Sequence, residues 1–181
     1  MKNEEFIVRH SKDDVRQLAL KAHGVKGIDL AYCLDQIAGR QTAKGKLPSW
    51  AAVDSIVYPP HISMEQCSSE QTALYKKSVL DRLNWLSLRS PNDVSSFIID
   101  LTGGFGVDFS FMSHGFRRAV YVERQKHLCD MASHNFKCLG LENVEVVCEE
   151  AEEYLNHCDN ADVIFLDPAR RDTHGAKPYP T

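Results

Sequence analysis

Four short apolar runs, each ending where polar residues begin, divide the second half of the sequence: Phe97-Ile-Ile-Asp-Leu101, Ala119-Val-Tyr-Val-Glu123, Val144-Glu-Val-Val-Cys148 and Asp162-Val-Ile-Phe-Leu-Asp167. Short runs rich in Val, Ile and aromatic residues read as strands buried on both faces. The stretches between them, about 107 to 115, 124 to 140 and 150 to 157, are long enough for crossover helices. Strands alternating with helices predict a parallel sheet, because parallel neighbours cannot be joined by a tight hairpin. In such sheets ligands bind beyond the carboxyl ends of the strands. The polar residues that close the runs are therefore the first candidates for a site.

Residues 1–90 follow a different rhythm. Ser11, with Asp14 three residues on, makes a capping-box-like start, and Val15, Leu18, Ala19 and Ala22 follow at helical spacing until Gly24. Ile28, Ala31, Leu34, Ile37 and Ala38 draw a second apolar stripe over about 28 to 43, closed by Gly45 and Pro48. From Lys46 to His61 the chain reads as mostly loop, since Pro59-Pro60 resists both helix and central strand. A third helix is predicted from about Ser68 to Leu83, and Pro91-Asn-Asp marks a boundary.

Composition narrows the function. A formal charge of −4 carries no chain-wide footprint for nucleic acid, so such a role needs a local patch or a further segment. The N-terminus lacks an apolar signal core and no apolar run reaches the length of a membrane span, which predicts a cytoplasmic chain. Cys33, Cys67, Cys129, Cys138, Cys148 and Cys158 never form a C-x-x-C pair, and His127, Cys129, His134 and Cys138 spread around a predicted helix. Reduced structural thiols fit better than a metal site or a disulfide framework.

The first run opens into Asp100-Leu-Thr-Gly-Gly-Phe-Gly-Val-Asp108. Gly104 and Gly106 allow close backbone approach and torsions that a side chain forbids, although a G-x-G alone also suits a bare strand-to-helix turn. A dinucleotide-binding turn wants a third glycine at position 109, which is Phe109. That weakens a nicotinamide dehydrogenase reading.

Asp100 four residues before Gly104 gives a D-x-x-x-G-x-G turn that resembles class I S-adenosylmethionine-dependent methyltransferases. Residues 97–172 carry the likeness. The resemblance implies an α/β fold: a Rossmann-like, partial doubly wound parallel sheet of about four strands in residues 91–181, behind an all-helical extension in 1–90. It also implies that Asp100, Thr102, Gly104 and Gly106 wrap the methionine and ribose portions of S-adenosylmethionine. Glu123 looks like the acid that accepts from both ribose hydroxyls. Glu150 resembles the acceptor of the adenine amino group, with Glu149 as a close competitor. Ser69 and Glu70, in Gln66-Cys-Ser-Ser-Glu-Gln-Thr-Ala-Leu-Tyr-Lys76, resemble a helix start placed beside the methionine carboxylate, or simply cap an amphipathic helix.

Asp167-Pro-Ala-Arg170 is similar to the D/N-P-P-x motif of methyltransferases acting on bases or other amines. It implies catalytic roles for Asp167, Pro168 and Arg170. The pattern departs from the family at Ala169 and Arg170, where a proline and an aromatic residue are usual. Arg170 and Arg171 would stack on a base, bind phosphate, or pair with Asp172. The helical segment, Pro48-Ser-Trp50, Glu65-Gln-Cys-Ser-Ser-Glu70 and Asp167-Pro-Ala-Arg-Arg-Asp172 resemble a bacterial group of unassigned substrate that carries a THUMP-like domain after the catalytic one. Because such domains are associated with RNA modification, this implies an RNA substrate, an rRNA or tRNA base. The alternatives are a non-catalytic cofactor-binding or interaction module of the same fold, and the dehydrogenase. Because such enzymes complete a seven-stranded sheet, the chain reads as a fragment whose fourth strand leaves an apolar edge open to self-association. It would bind cofactor with negligible turnover alone.

Overall fold

The computed structural model describes residues 2–22, 24–86 and 96–168. Six helices come first: α1 (Asn3–Arg9), α2 (Val15–Lys21), α3 (Leu30–Lys46), α4 (Pro48–Ala51), α5 (His61–Gln66) and α6 (Glu70–Leu86). The alternating part follows as β1 (Phe97–Asp100), α7 (Val107–Met112) with a 3₁₀ turn, β2 (Arg118–Val122), α8 (Lys126–Cys138), β3 (Val144–Val147), α9 (Ala151–Leu155) and β4 (Val163–Phe165). All four strands are parallel, in the order β3-β2-β1-β4. The reversal of order lies at β1, between β2 and β4, so ligand chemistry is expected above Asp100.

The two inner strands, β1 and β2, are buried on both faces, while β3 and β4 are only partly buried. Ile98, Ala119 and Tyr121 pack with Phe109, Met112 and Phe136 of α7 and α8. Phe97, Ile99, Val120 and Val122 pack on the other face with Tyr154 of α9. β4 pairs with β1 on one side, and Ile164 and Leu166 are exposed there.

The helical part is joined to the sheet by a shared core. Ala43, Leu47, Trp50, Ile56, Tyr58, Met64 and Ala73 form one buried cluster with Phe105 and Val107 of the glycine turn. The Asn135 carboxamide in α8 accepts from Val57 N at 2.9 Å and donates to Val57 O at 2.8 Å, fixing the connection between α4 and α5 onto the second half. Among the described residues no helix is long and apolar enough to cross a membrane.

Four local expectations change. Asp14, not Ser11, caps α2, its carboxylate accepting from Gln17 N at 2.9 Å, while Ser11 N bonds Val8 O just beyond α1, a helix the apolar spacing did not reveal. α3 runs through Gly45 to Lys46, and the break falls at Leu47 because Pro48 starts α4 at its first turn, where a missing N–H costs nothing. The stretch read as loop thus holds α4, and α5 begins directly after Pro59-Pro60. α6 begins at Glu70 rather than Ser68. The boundary at Pro91 lies outside the described residues.

Candidate functional site

Asp100 ends β1 with 2% exposure. Its Oδ1 accepts from Thr102 N at 2.9 Å and from the Thr102 hydroxyl at 3.3 Å. Burial nevertheless raises its pKa to about 7, opposed by the two Thr102 bonds and reinforced by the nearby Asp108. The Thr102 hydroxyl in turn accepts from Asp167 N at 2.7 Å. The end of β1 and the motif after β4 are therefore clasped by one threonine.

The glycines of the turn have different reasons. A Cβ on Gly103 would lie 2.3 Å from the Tyr121 ring, so that residue is glycine because β2 packs beneath it. Gly104 has φ +55°, and a Cβ there would meet only Thr102 O, at 3.7 Å. Gly106 has φ +83°, and a Cβ there would strike Phe136 at 2.7 Å. The Tyr121 hydroxyl donates to Gly104 O at 2.5 Å, which holds the turn down. Phe109 fills the place of a third glycine, its ring 5.7 Å from Tyr121 and 5.4 Å from Phe136. α7 thus stands off the sheet by an aromatic layer, unlike the close approach a dinucleotide turn makes.

Glu123, at the end of β2, is 9% exposed. Its Oε2 accepts from Gly104 N at 3.0 Å and its Oε1 from Gln125 N at 2.8 Å. One carboxylate so joins the loops after β1 and β2, and each oxygen retains a lone pair for a further donor. After β3, Glu149 meets His157 Nε2 at 3.1 Å. Glu150 is the residue before α9, half exposed, with Arg124 at 3.8 Å.

A cluster that motif reading missed lies behind this wall. Lys76 of α6 donates to Asp108 Oδ2 and Asp167 Oδ2, both at 2.8 Å, and to the Ser68 hydroxyl at 3.2 Å. Ser68 also donates to Asp108 Oδ2 at 2.8 Å. Burial opposes the ammonium, but the bonds to Asp108 and Asp167 outweigh it and raise the Lys76 pKa. Asp108 Oδ1 is buried and has no hydrogen-bond partner among the described residues. The available signal was Lys76 on the same helical stripe as Ala73 and Leu80, which face the core.

These elements enclose a cavity of about 430 Å³, a size that suits a nucleoside-sized ligand. Asp100, Thr102, Gly104, Gly106, Glu123, Glu150, Asp167 and Pro168 all line it. Ser69 and Glu70 do not. Ser69 caps α6, accepting from Thr72 N at 3.2 Å, and Glu70 accepts from both Ser49 N and the Ser49 hydroxyl at 2.8 Å. The preceding residues Ser63, Gln66, Cys67 and Ser68 reach the cavity in their place. Arg170 lies outside the described residues. Asp100, Asp108, Glu123, Glu149, Glu150 and Asp167 line the cavity beside Arg124, giving carboxylate acceptors for hydroxyl, amino and cationic groups and an orphan buried acceptor, Asp108 Oδ1. It fits a cationic adenosyl amino acid better than a pyrophosphate.

A parallel sheet of order 3-2-1-4, a glycine turn after its first strand and an acid closing its second define the Rossmann-like fold of the class I S-adenosylmethionine-dependent methyltransferases. A Porphyromonas gingivalis W83 protein provisionally named a methyltransferase is similar to this chain over 85% of its residues, with 26% identity and a TM-score of 0.64. The match spans 36% of that protein. A Pyrococcus horikoshii protein provisionally named an RNA methyltransferase shares the fold over 75% of this chain and 63% of its own, with 15% identity and a TM-score of 0.52. No protein-family model matches the sequence, and no curated protein does.

Proposed function

We propose that this chain binds S-adenosylmethionine at the ends of β1, β2 and β3 and forms the cofactor-binding part of a methyltransferase acting on RNA. Glu123 is the observation that carries the reading. Held by Gly104 N and Gln125 N at the cavity wall, its two oxygens are fixed where they can accept from two neighbouring hydroxyls. Glu150, tied only loosely to Arg124, suits the adenine amino group better than Glu149, which His157 occupies. RNA as the acceptor rests on the resemblance of the helical segment and of Asp167-Pro-Ala-Arg-Arg-Asp172 to a bacterial group of unassigned substrate that carries a THUMP-like domain, a kind of domain associated with RNA modification.

The bound cofactor supplies an electrophilic methyl group, and displacement at it needs alignment rather than strong acid or base. Asp167 offers the acceptor nitrogen a carboxylate oxygen, since Lys76 takes up Oδ2 and leaves Oδ1. The Pro168 carbonyl, at the same cavity wall, is a second acceptor. Two acceptors hold two N–H bonds and leave the nitrogen lone pair for attack. Asp167 is half exposed, so the proton that the nitrogen sheds passes readily to solvent.

Isothermal titration calorimetry tests the cofactor. The chain should bind S-adenosylmethionine and its thioether product and show no heat with NAD. Glu123→Ala should weaken binding by roughly 2 to 4 kcal/mol, the loss of two charge-assisted bonds. A folded Glu123→Ala variant with unchanged affinity excludes this site.

A further inference from the structure

Three carboxylates, Asp100, Asp108 and Asp167, line the same end of the cavity, and one ammonium stands behind them. Lys76 has three N–H groups and three acceptors, Asp108 Oδ2, Asp167 Oδ2 and Ser68 Oγ, so none is left for a ligand. Its side chain is 24% exposed, and it does not line the cavity. It lies 5.2 Å from the centre of the Phe165 ring, which does. Lys76 therefore touches no ligand and acts through the two aspartates.

We propose that Lys76 is a positioning residue that sets the charge of the transfer end of the cavity: by offsetting one carboxylate of the Asp108–Asp167 pair, it limits the preference for a cationic ligand over its neutral counterpart. This rests on the cofactor reading above. Methyl transfer turns a sulfonium into a thioether, so the same scaffold enters carrying a positive charge and leaves without it. A well of three unopposed carboxylates would hold the cation deeply. That stabilisation would have to be given back as the charge moves to the acceptor, because ground-state binding that is lost in the transition state slows the step. With Lys76 in place, Asp108 and Asp167 remain fixed in orientation, and the pair together with Lys76 carries a charge of −1 rather than the −2 of the two carboxylates alone.

The electrostatics give a sign to each substitution. Removing the ammonium deepens the well for cations, and removing the Asp167 charge makes it shallower. At a distance of several ångströms in a partly hydrated site, one unit charge is worth about a factor of five to ten in affinity. Asp100 complicates the count, because Lys76 lowers its pKa and the loss of Lys76 would favour its protonated form. Working at pH 8.5, above its pKa of about 7, limits that compensation.

Calorimetry on the full chain at pH 8.5 provides the test, with three probes: S-adenosylmethionine, sinefungin, whose amine carries the charge near the position of the methyl group, and the neutral S-adenosylhomocysteine. K76M should raise the ratio of cationic to neutral affinity by about fivefold. K76R should leave it within about twofold, because a guanidinium keeps the charge. D167N should lower it. Equal changes for all three probes in K76M would mark a merely structural lysine, and a fall in the ratio would contradict the assigned sign; either overturns the proposal while leaving cofactor binding intact. If the unaltered chain binds none of the probes, the cofactor reading fails and takes this inference with it.

Discussion

Asp100 is a buried carboxyl whose pKa burial raises to about 7, and its protonation should be visible in stability. Its folded pKa of about 7 lies above the unfolded value of 3.8, so between those values the folded chain holds a proton that the unfolded chain has released. The contribution of this group is then fully present below about pH 4 and is lost as pH rises through 7. Asn at this position still accepts from Thr102 N but cannot ionise. The Asp100→Asn variant should gain on the parent by roughly 2 to 4 kcal/mol between pH 4 and 8. Urea denaturation at several pH values measures it, and a pH-independent difference between the two proteins would exclude a buried, proton-holding carboxylate. The glycines beside it show what a sequence conveys at this scale. Their pattern located the turn, yet the reason for Gly103 and Gly106 is contact with Tyr121 and Phe136, rings contributed by β2 and α8, and no local pattern announces a partner that far along the chain.

At the scale of elements, the strands were legible because each is a short run of mainly β-branched and aromatic residues, unbroken in β1 and β2 where both faces are buried, and each run was found within a residue or two of its place. The site acids followed, since parallel strands deliver their last residues to one edge. Helix ends were less legible. Gly45 lies inside α3 and Ser11 outside α2, because capping depends on which side chain reaches a free N–H, and several candidates stand close together. The start of α6 is the case with functional weight. Glu70 points away from the cavity and grips the first turn of α4 through Ser49, so it serves to dock one helix on another. Glu70→Ala should cost about 1 kcal/mol of stability, as loss of a cap does, and leave S-adenosylhomocysteine affinity within about twofold. Thermal denaturation and calorimetry on the same variant read both quantities. An affinity loss beyond about tenfold with unchanged stability would return Glu70 to the ligand.

For the whole molecule, the question is whether the helical part and the sheet are two units or one. Sequence reading separated them at residue 90, because apolar periodicity changes there. Three-dimensional packing joins them, because Phe105 of the glycine turn sits with Trp50 at 4.9 Å and Tyr58 at 6.2 Å between ring centres. Lys76 and Leu80 of α6 reach the β4 motif and the sheet core respectively, and Asn135 ties α8 to Val57. Each part also keeps a cluster of its own, Phe6, Leu18 and Ile37 among the helices and Ile99, Val120 and Val122 in the sheet, and the shared cluster should couple their opening. Trp50→Ala removes a fully buried indole and should destabilise the protein by about 3 to 5 kcal/mol. The consequence that distinguishes one unit from two is where that loss appears. In native-state hydrogen exchange, amides of α3 and of β1 and β2 should lose protection together in the variant, since both report the same cooperative opening. Faster exchange confined to α1–α6, with the strand amides as protected as before, would show that the helices are an appendage and that the cavity they roof forms without them. With coupled loss, the glycine turn inherits its rigidity from Trp50, and the cofactor site depends on residues far outside the motifs that first revealed it.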